Sequence, residues 1–194
     1  MSVLNLAVIL GSVRPNRLGL RVARYVAAKC RERGHATTLV DPLDFPLPLL
    51  DKMYKEYPPG TAPEVLERLA TVVKAADAYV VVSAEYNHSI PPALANLLDH
   101  FLGEYSFKPS AIVCYSAGQF GGVRAAMQLR AMLPELGMPT IPTLLPFPKA
   151  QEMLDEHGIP SDPPRTDEAA AKFLAELEWY ATALRAARAG GVPH

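Results

Sequence analysis

The chain has 194 residues, 49% of them hydrophobic and 20% charged, with a net charge of −1 at neutral pH. That length fits one domain with a sizeable core of its own, and the balance of charge exerts no general pull toward nucleic acid or anionic membrane. No apolar run reaches the ~18 residues of a membrane-spanning helix and the first residues do not read as a secretory leader, so the cytoplasm is the expected location.

The apolar run Leu4 to Leu10 predicts a buried strand, and Leu18, Val22, Tyr25 and Val26 then repeat at helical spacing. Between them, Gly11-Ser12-Val13-Arg14-Pro15-Asn16-Arg17-Leu18-Gly19 joins a strand to a helix N-terminus. Unpaired amides and the positive end of the helix dipole favour an anion there. Ser12 adds a hydroxyl, and Arg14 and Arg17 add permanent charge in a fork suited to phosphate oxygens. The loop lacks the Gly-Lys-Ser/Thr ending of the Walker pattern and the three glycines of the dinucleotide fingerprint, and it suits a terminal monophosphate better than a bridging pyrophosphate. The alternative is a strand-to-helix turn with solvated arginines.

Gly34 ends this helix, and residues 36–41 read as a second strand. Residues 42–63 are crowded with prolines and show no periodicity, so they form a long loop that covers a site or a subunit contact. A helix follows at about 63–75, with Val65, Leu66, Leu69, Val72 and Val73 as its apolar stripe. Residues 78–83 are apolar without a break, as in a central parallel strand. The next loop ends with Ser89 as cap and Pro91 as first residue of a helix carrying Leu94, Leu97, Leu98 and Phe101.

Residues 111–115 form a fourth strand, followed by the small-residue loop Ser116-Ala117-Gly118-Gln119-Phe120-Gly121-Gly122 and a helix over 123–136 whose regular part ends at Pro134. Residues 138–147 have strand character but contain Pro139, Pro142 and Pro146, which places them at a sheet edge. The last helix starts near Thr166 and stops at Gly190-Gly191. Strands and helices alternate five times, which gives an α/β fold with a parallel sheet covered on both faces. In the order 2-1-3-4-5, the loops after strands one, three and four converge where ligands bind such sheets.

In the second of these loops, Ser83-Ala84-Glu85-Tyr86-Asn87-His88-Ser89-Ile90-Pro91, Tyr86 can lie against a flat ring, with the amides of Tyr86 and Asn87 reaching its polar edge. His88 reads as a surface or hydrogen-bonding residue or as a general acid, and Glu85 as a base or as a partner for an amide or an arginine. Gly118, Gly121 and Gly122 permit close backbone approach to a ligand or simply make a turn. Cys30 and Cys114 have no C-x-x-C or metal spacing and read as reduced structural thiols.

Taken together, Gly11-Ser12-x-Arg14, Glu85-Tyr86-Asn87-His88-Ser89-Ile90-Pro91 and Gly121-Gly122-x-Arg124-Ala125 resemble the NADPH-dependent FMN reductase family, over about residues 6–136. The resemblance implies a flavodoxin-like three-layer sandwich in one domain. It also implies a flavoenzyme that takes hydride from NADPH or NADH onto FMN and passes electrons to a quinone, flavin, azo dye or metal oxyanion by a ping-pong mechanism. Ser12, Arg14, Arg17, Leu18 and Gly19 would hold the FMN phosphate, and Glu85, Tyr86, Asn87 and His88 would line the isoalloxazine. Ser116, Gly118, Gly121 and Gly122 would close over its pyrimidine side, with no single side chain required as a catalytic acid. Ala84 departs from the proline usual in the family, and the 116–122 loop lacks the charge of its most basic variants. The expected partners are a small-molecule acceptor and further copies of the chain, as homodimer or homotetramer, without nucleic acid or membrane. Two other readings remain: a flavodoxin-type electron carrier, and a regulatory module that holds flavin with little turnover.

Overall fold

A computed structural model describes residues 2–193. Five strands, β1 (Asn5–Leu10), β2 (Ala36–Val40), β3 (Ala78–Ala84), β4 (Ser110–Tyr115) and β5 (Thr140–Phe147), form one parallel sheet in the order β2-β1-β3-β4-β5. All seven residues of β3 are buried, as the unbroken apolar run requires of a central strand covered on both faces. The proline-bearing β5 is an edge strand, where a missing N–H costs no ladder bond on its open side.

The helices are α1 (Leu18–Glu32), α2 (Glu64–Ala75), α3 (Pro92–Asp99), α4 (Val123–Glu135), a one-turn α5 (Ala150–Met153) and α6 (Pro163–Ala189). Alternate residues of each strand feed two cores. Val8, Leu10, Val80, Val82 and Val113 pack with α1 and α6, whereas Ile9, Val81, Ile112 and Cys114 pack with α2, α3 and α4. Both cysteines lie in these cores, and burial pushes each thiol up to about 12, which leaves them unreactive.

Three boundaries differ from the expectation. The residue capping α3 is Pro91, with Pro92 at the first helical position; the Ser89 hydroxyl is instead 2.7 Å from the Gln128 side-chain carbonyl. The α6 helix starts three residues early because the Asp162 carboxylate accepts the Arg165 amide and Pro163 has a backbone angle suited to a first turn. Pro134 stays inside α4, close enough to the C-terminus that only one helical bond is forfeited.

The end of α6 is tied to the N-terminal ends of the strands, away from the convergent loops. Glu178 accepts from Arg33 and pairs with His35, and Asp77 pairs with Arg185 and Arg188. Residues 42–63 are ordered by specific bonds. The Asn96 side chain of α3 accepts from the Leu50 amide and donates to the Pro48 carbonyl, and the Tyr54 amide donates to the His100 carbonyl. The segment therefore lies along α3.

Candidate functional site

The loops after β1, β3 and β4 enclose a cleft of about 330 Å³ beside the point where strand order reverses between β1 and β3. Ser12, Arg14, Pro15, Asn16, Arg17 and Leu18 form one wall, Ala84, Glu85 and Tyr86 a second, and Tyr115, Ser116 and Ala117 a third.

The first wall is rich in free donors. The α1 helix begins with no side-chain cap and no acidic residue in its first turn. Among the described residues, the amides of Val13, Asn16, Arg17 and Leu18 have no acceptor. Asn16 takes the left-handed backbone conformation that asparagine tolerates, with φ of 52°. Ser12 is buried and its hydroxyl shares a 2.7 Å hydrogen bond with Tyr86, while the exposed Arg14 guanidinium lies 5.9 Å from the Tyr86 ring centre. Arg17 pairs with Asp41, and its Nε is buried without a partner.

Gly19 serves a purpose its sequence position does not disclose. A Cβ there would meet the Tyr115 hydroxyl at 2.2 Å, so the glycine admits the tyrosine against α1. Burial pushes the Tyr115 hydroxyl above the usual tyrosine value, against opposing hydrogen bonds from Ser12 and the Gly19 backbone. Tyr115 is thus a neutral member of the wall. The sequence reading passed over it as the end of an apolar strand, and Asp41 as the end of β2; a polar side chain closing an apolar strand was the available signal for both.

In the second wall, Asn87 and His88 both have positive φ, 52° and 63°, and the Tyr86 and Ser89 amides and carbonyls pair at 3.1 and 2.9 Å. This is a tight hairpin turn built without glycine. Gln128 of α4 clamps it, donating to the His88 carbonyl at 2.7 Å as well as meeting Ser89. The Tyr86 amide is consumed by the turn, so among the described residues the amides of Asn87 and His88 are the free ones in it. His88 and Asn87 are exposed at its tip. The Glu85 carboxylate accepts from the Arg124 and Ala125 amides at 3.0 and 3.3 Å and from the Arg124 guanidinium at 3.4 Å. It acts as the anionic cap of α4, whose own capping residue, Gly122, has no side chain to offer.

Of the predicted residues in the loop after β4, Ser116 lines the third wall whereas Gly118, Gly121 and Gly122 do not; Gly121 and Gly122 have φ of 62° and 79°, and a Cβ on Gly122 would meet the Tyr115 backbone at 2.7 Å. Their close approaches are to the protein's own chain, Pro148 and Tyr115, rather than to the cleft. The carbonyls of Ser116, Ala117 and Gly118 are taken by Ala150, Gln151 and Lys149. Among the described residues, the amides of residues 117–122 have no acceptor. The loop therefore offers six amide donors.

The sequence model of the NADPH-dependent FMN reductase family matches residues 4–152. The chain belongs to this family. An NAD(P)H-dependent FMN reductase of Schizosaccharomyces pombe is 34% identical over 146 residues, covering 71% of this chain and 69% of the relative. A quinone reductase of Pseudomonas putida is 32% identical over 143 residues, covering 71% and 73%. Among solved structures, a flavoenzyme NAD(P)H:(acceptor) oxidoreductase of Paracoccus denitrificans superimposes with a TM-score of 0.73 at 23% identity, over 92% of this chain and 97% of the other. A flavodoxin variant of Pseudomonas aeruginosa does so with 0.55 at 20%, over 90% and 99%, and both likenesses concern the flavodoxin-like fold.

The protein is therefore an oxidoreductase with FMN as cofactor and NAD(P)H as electron donor. The residues present fit the cofactor's phosphate: an uncapped helix N-terminus with the free amides of Asn16, Arg17 and Leu18, together with Ser12, Arg14 and Arg17, lines one cleft, and the buried Nε of Arg17 has no protein partner. No helix among the described residues is long and apolar enough to cross a membrane.

Proposed function

We propose that this reductase holds FMN in the cleft between its three loops and works by a ping-pong mechanism, with a quinone, flavin, azo dye or metal oxyanion as second substrate. The convergence of Ser12, Arg14, Arg17 and the uncapped start of α1 on one cleft carries the reading. Bound FMN supplies the redox chemistry, taking hydride from NAD(P)H and giving up electrons to the acceptor. The chain binds and orients. Ser12, Arg14, Arg17 and the Leu18 amide hold the phosphate, with Gly19 keeping the start of α1 close to it; Glu85, Tyr86, Asn87 and His88 shape the ring side. Ser116 closes over the ring's pyrimidine edge with its side chain, and Gly118, Gly121 and Gly122 contribute amides that favour charge accumulating there, a fixed-dipole effect. Glu85 does its part indirectly, by fixing the start of α4.

The reading extends to a homodimer or homotetramer in the cytoplasm. Val13, Leu43 and Leu49, 44%, 55% and 84% exposed, line one groove against α3, and a second copy would cover them. Initial rates measured across a grid of NADPH and quinone concentrations test the mechanism: parallel double-reciprocal lines support one site used in turn, and intersecting lines refute it. Light scattering at micromolar concentration tests the assembly, and a monomer mass refutes it.

A further inference from the structure

Asp41 follows the last residue of β2 and stands outside the three loops, yet it reaches the phosphate wall through one contact. Its Oδ2 pairs with Arg17 Nη2, and its Oδ1 accepts the Leu43 amide at 3.0 Å. The two side chains are 10% and 12% exposed, so the pair is set into the protein. The remaining donors of the guanidinium are uncommitted. Nε is buried without a partner, and Nη1 has no protein acceptor among the described residues, in a side chain that lines the cleft.

On charge alone, a carboxylate beside an anion site is a disadvantage, because it repels phosphate and neutralises an arginine. The geometry gives a different outcome. An arginine side chain has several rotatable bonds, and a free one surrenders that freedom when it binds. Fastened by one nitrogen, the guanidinium is fixed before the ligand arrives, with Nη1 left over for a phosphate oxygen.

We propose that Asp41 is a positioning residue for FMN binding: it anchors Arg17 through Nη2 so that Nη1 meets the phosphate. This rests on the reading that the cleft takes the FMN phosphate. The two ideas make separable demands, because the anchor acts on the phosphate alone and riboflavin lacks it.

The test is titration of purified wild type, Asp41→Asn and Asp41→Glu with FMN and with riboflavin, followed by quenching of flavin fluorescence. Asp41→Asn removes a negative charge, so simple electrostatics predicts tighter FMN binding. The anchor predicts the reverse, about tenfold weaker FMN binding with riboflavin affinity held within about twofold. Asp41→Glu keeps the charge but lengthens the arm, and the same FMN-selective weakening is expected. In an Arg17→Ala background, Asp41→Asn should change nothing further. Unchanged or tighter FMN binding in Asp41→Asn overturns the proposal, as does a parallel loss of both flavins, which marks a general structural role. If Asp41→Asn does not fold, Asp41→Glu decides alone, and full FMN affinity there overturns it. Equal wild-type affinity for FMN and riboflavin would instead sink the phosphate reading beneath it.

Discussion

Replacing Glu85 by alanine separates a structural from a flavin-lining role, and its cost follows from the contacts. Its carboxylate is 11% exposed and accepts two amides at the start of α4, Arg124 at 3.0 Å and Ala125 at 3.3 Å. Losing a helix cap costs about 0.5–2 kcal/mol, and losing the anion at the positive end of the dipole about 0.3–1 kcal/mol, more when partly buried. The ion pair with the 37% exposed Arg124 adds only a few tenths of a kcal/mol after screening by solvent. The expected loss for Glu85→Ala is therefore about 1–3 kcal/mol, which for a chain of this size lowers Tm by roughly 2–12 °C. Glu85→Gln keeps an acceptor oxygen and loses the charge, so about 1 kcal/mol is expected. Urea unfolding of the flavin-free protein measures both. An alanine variant within about 0.5 kcal/mol of wild type, the scatter of ordinary surface substitutions, would refute the capping assignment.

Arg14→Ala should weaken FMN binding by about 1.5–3 kcal/mol, the usual contribution of a hydrogen bond to a charged group, without moving riboflavin affinity. Equal FMN titrations of variant and wild type would remove Arg14 from the cradle. Gly19→Ala places a methyl group 2.2 Å from the Tyr115 hydroxyl, and overpacking of that kind costs about 1–3 kcal/mol, read as a lower urea midpoint. At Glu178, burial pushes the carboxyl up, but hydrogen bonds from Arg33 and His35 outweigh it and leave the pKa below the ordinary 4.5. A pKa lowered on folding gives stability that is present in full above the ordinary value and lost as pH falls through the folded one. Glu178→Gln should thus cost about 1–3 kcal/mol at pH 7 and progressively less below pH 4.5. A deficit independent of pH in urea unfolding would contradict this.

Much of the fold is written in local pattern. The apolar run of β3 states its central place, the prolines of β5 its edge, and the helical stripe from Leu18 to Val26 the start of α1. Such signals depend on neighbours in sequence and are legible there. Partners distant in sequence are not. Arg17 and Asp41 are 24 residues apart, Glu85 and Arg124 39, and Gln128 and His88 40; only the finished topology brings them together. For that reason Arg17 and Glu85 could be named while their partners could not, and the glycines at 121 and 122 could be flagged without knowing that their close neighbours are Pro148 and Tyr115. The segment 42–63 is held by Asn96 and His100 of another element, which no internal periodicity records.

The most direct test of the whole account is the absorbance spectrum of the purified protein with added FMN, followed by anaerobic NADPH. Saturable binding, then bleaching of the flavin band within seconds, is the expected result. Binding without bleaching by NADPH or NADH would point to an electron carrier or a flavin-holding module, and no binding would contradict the assignment of the cleft.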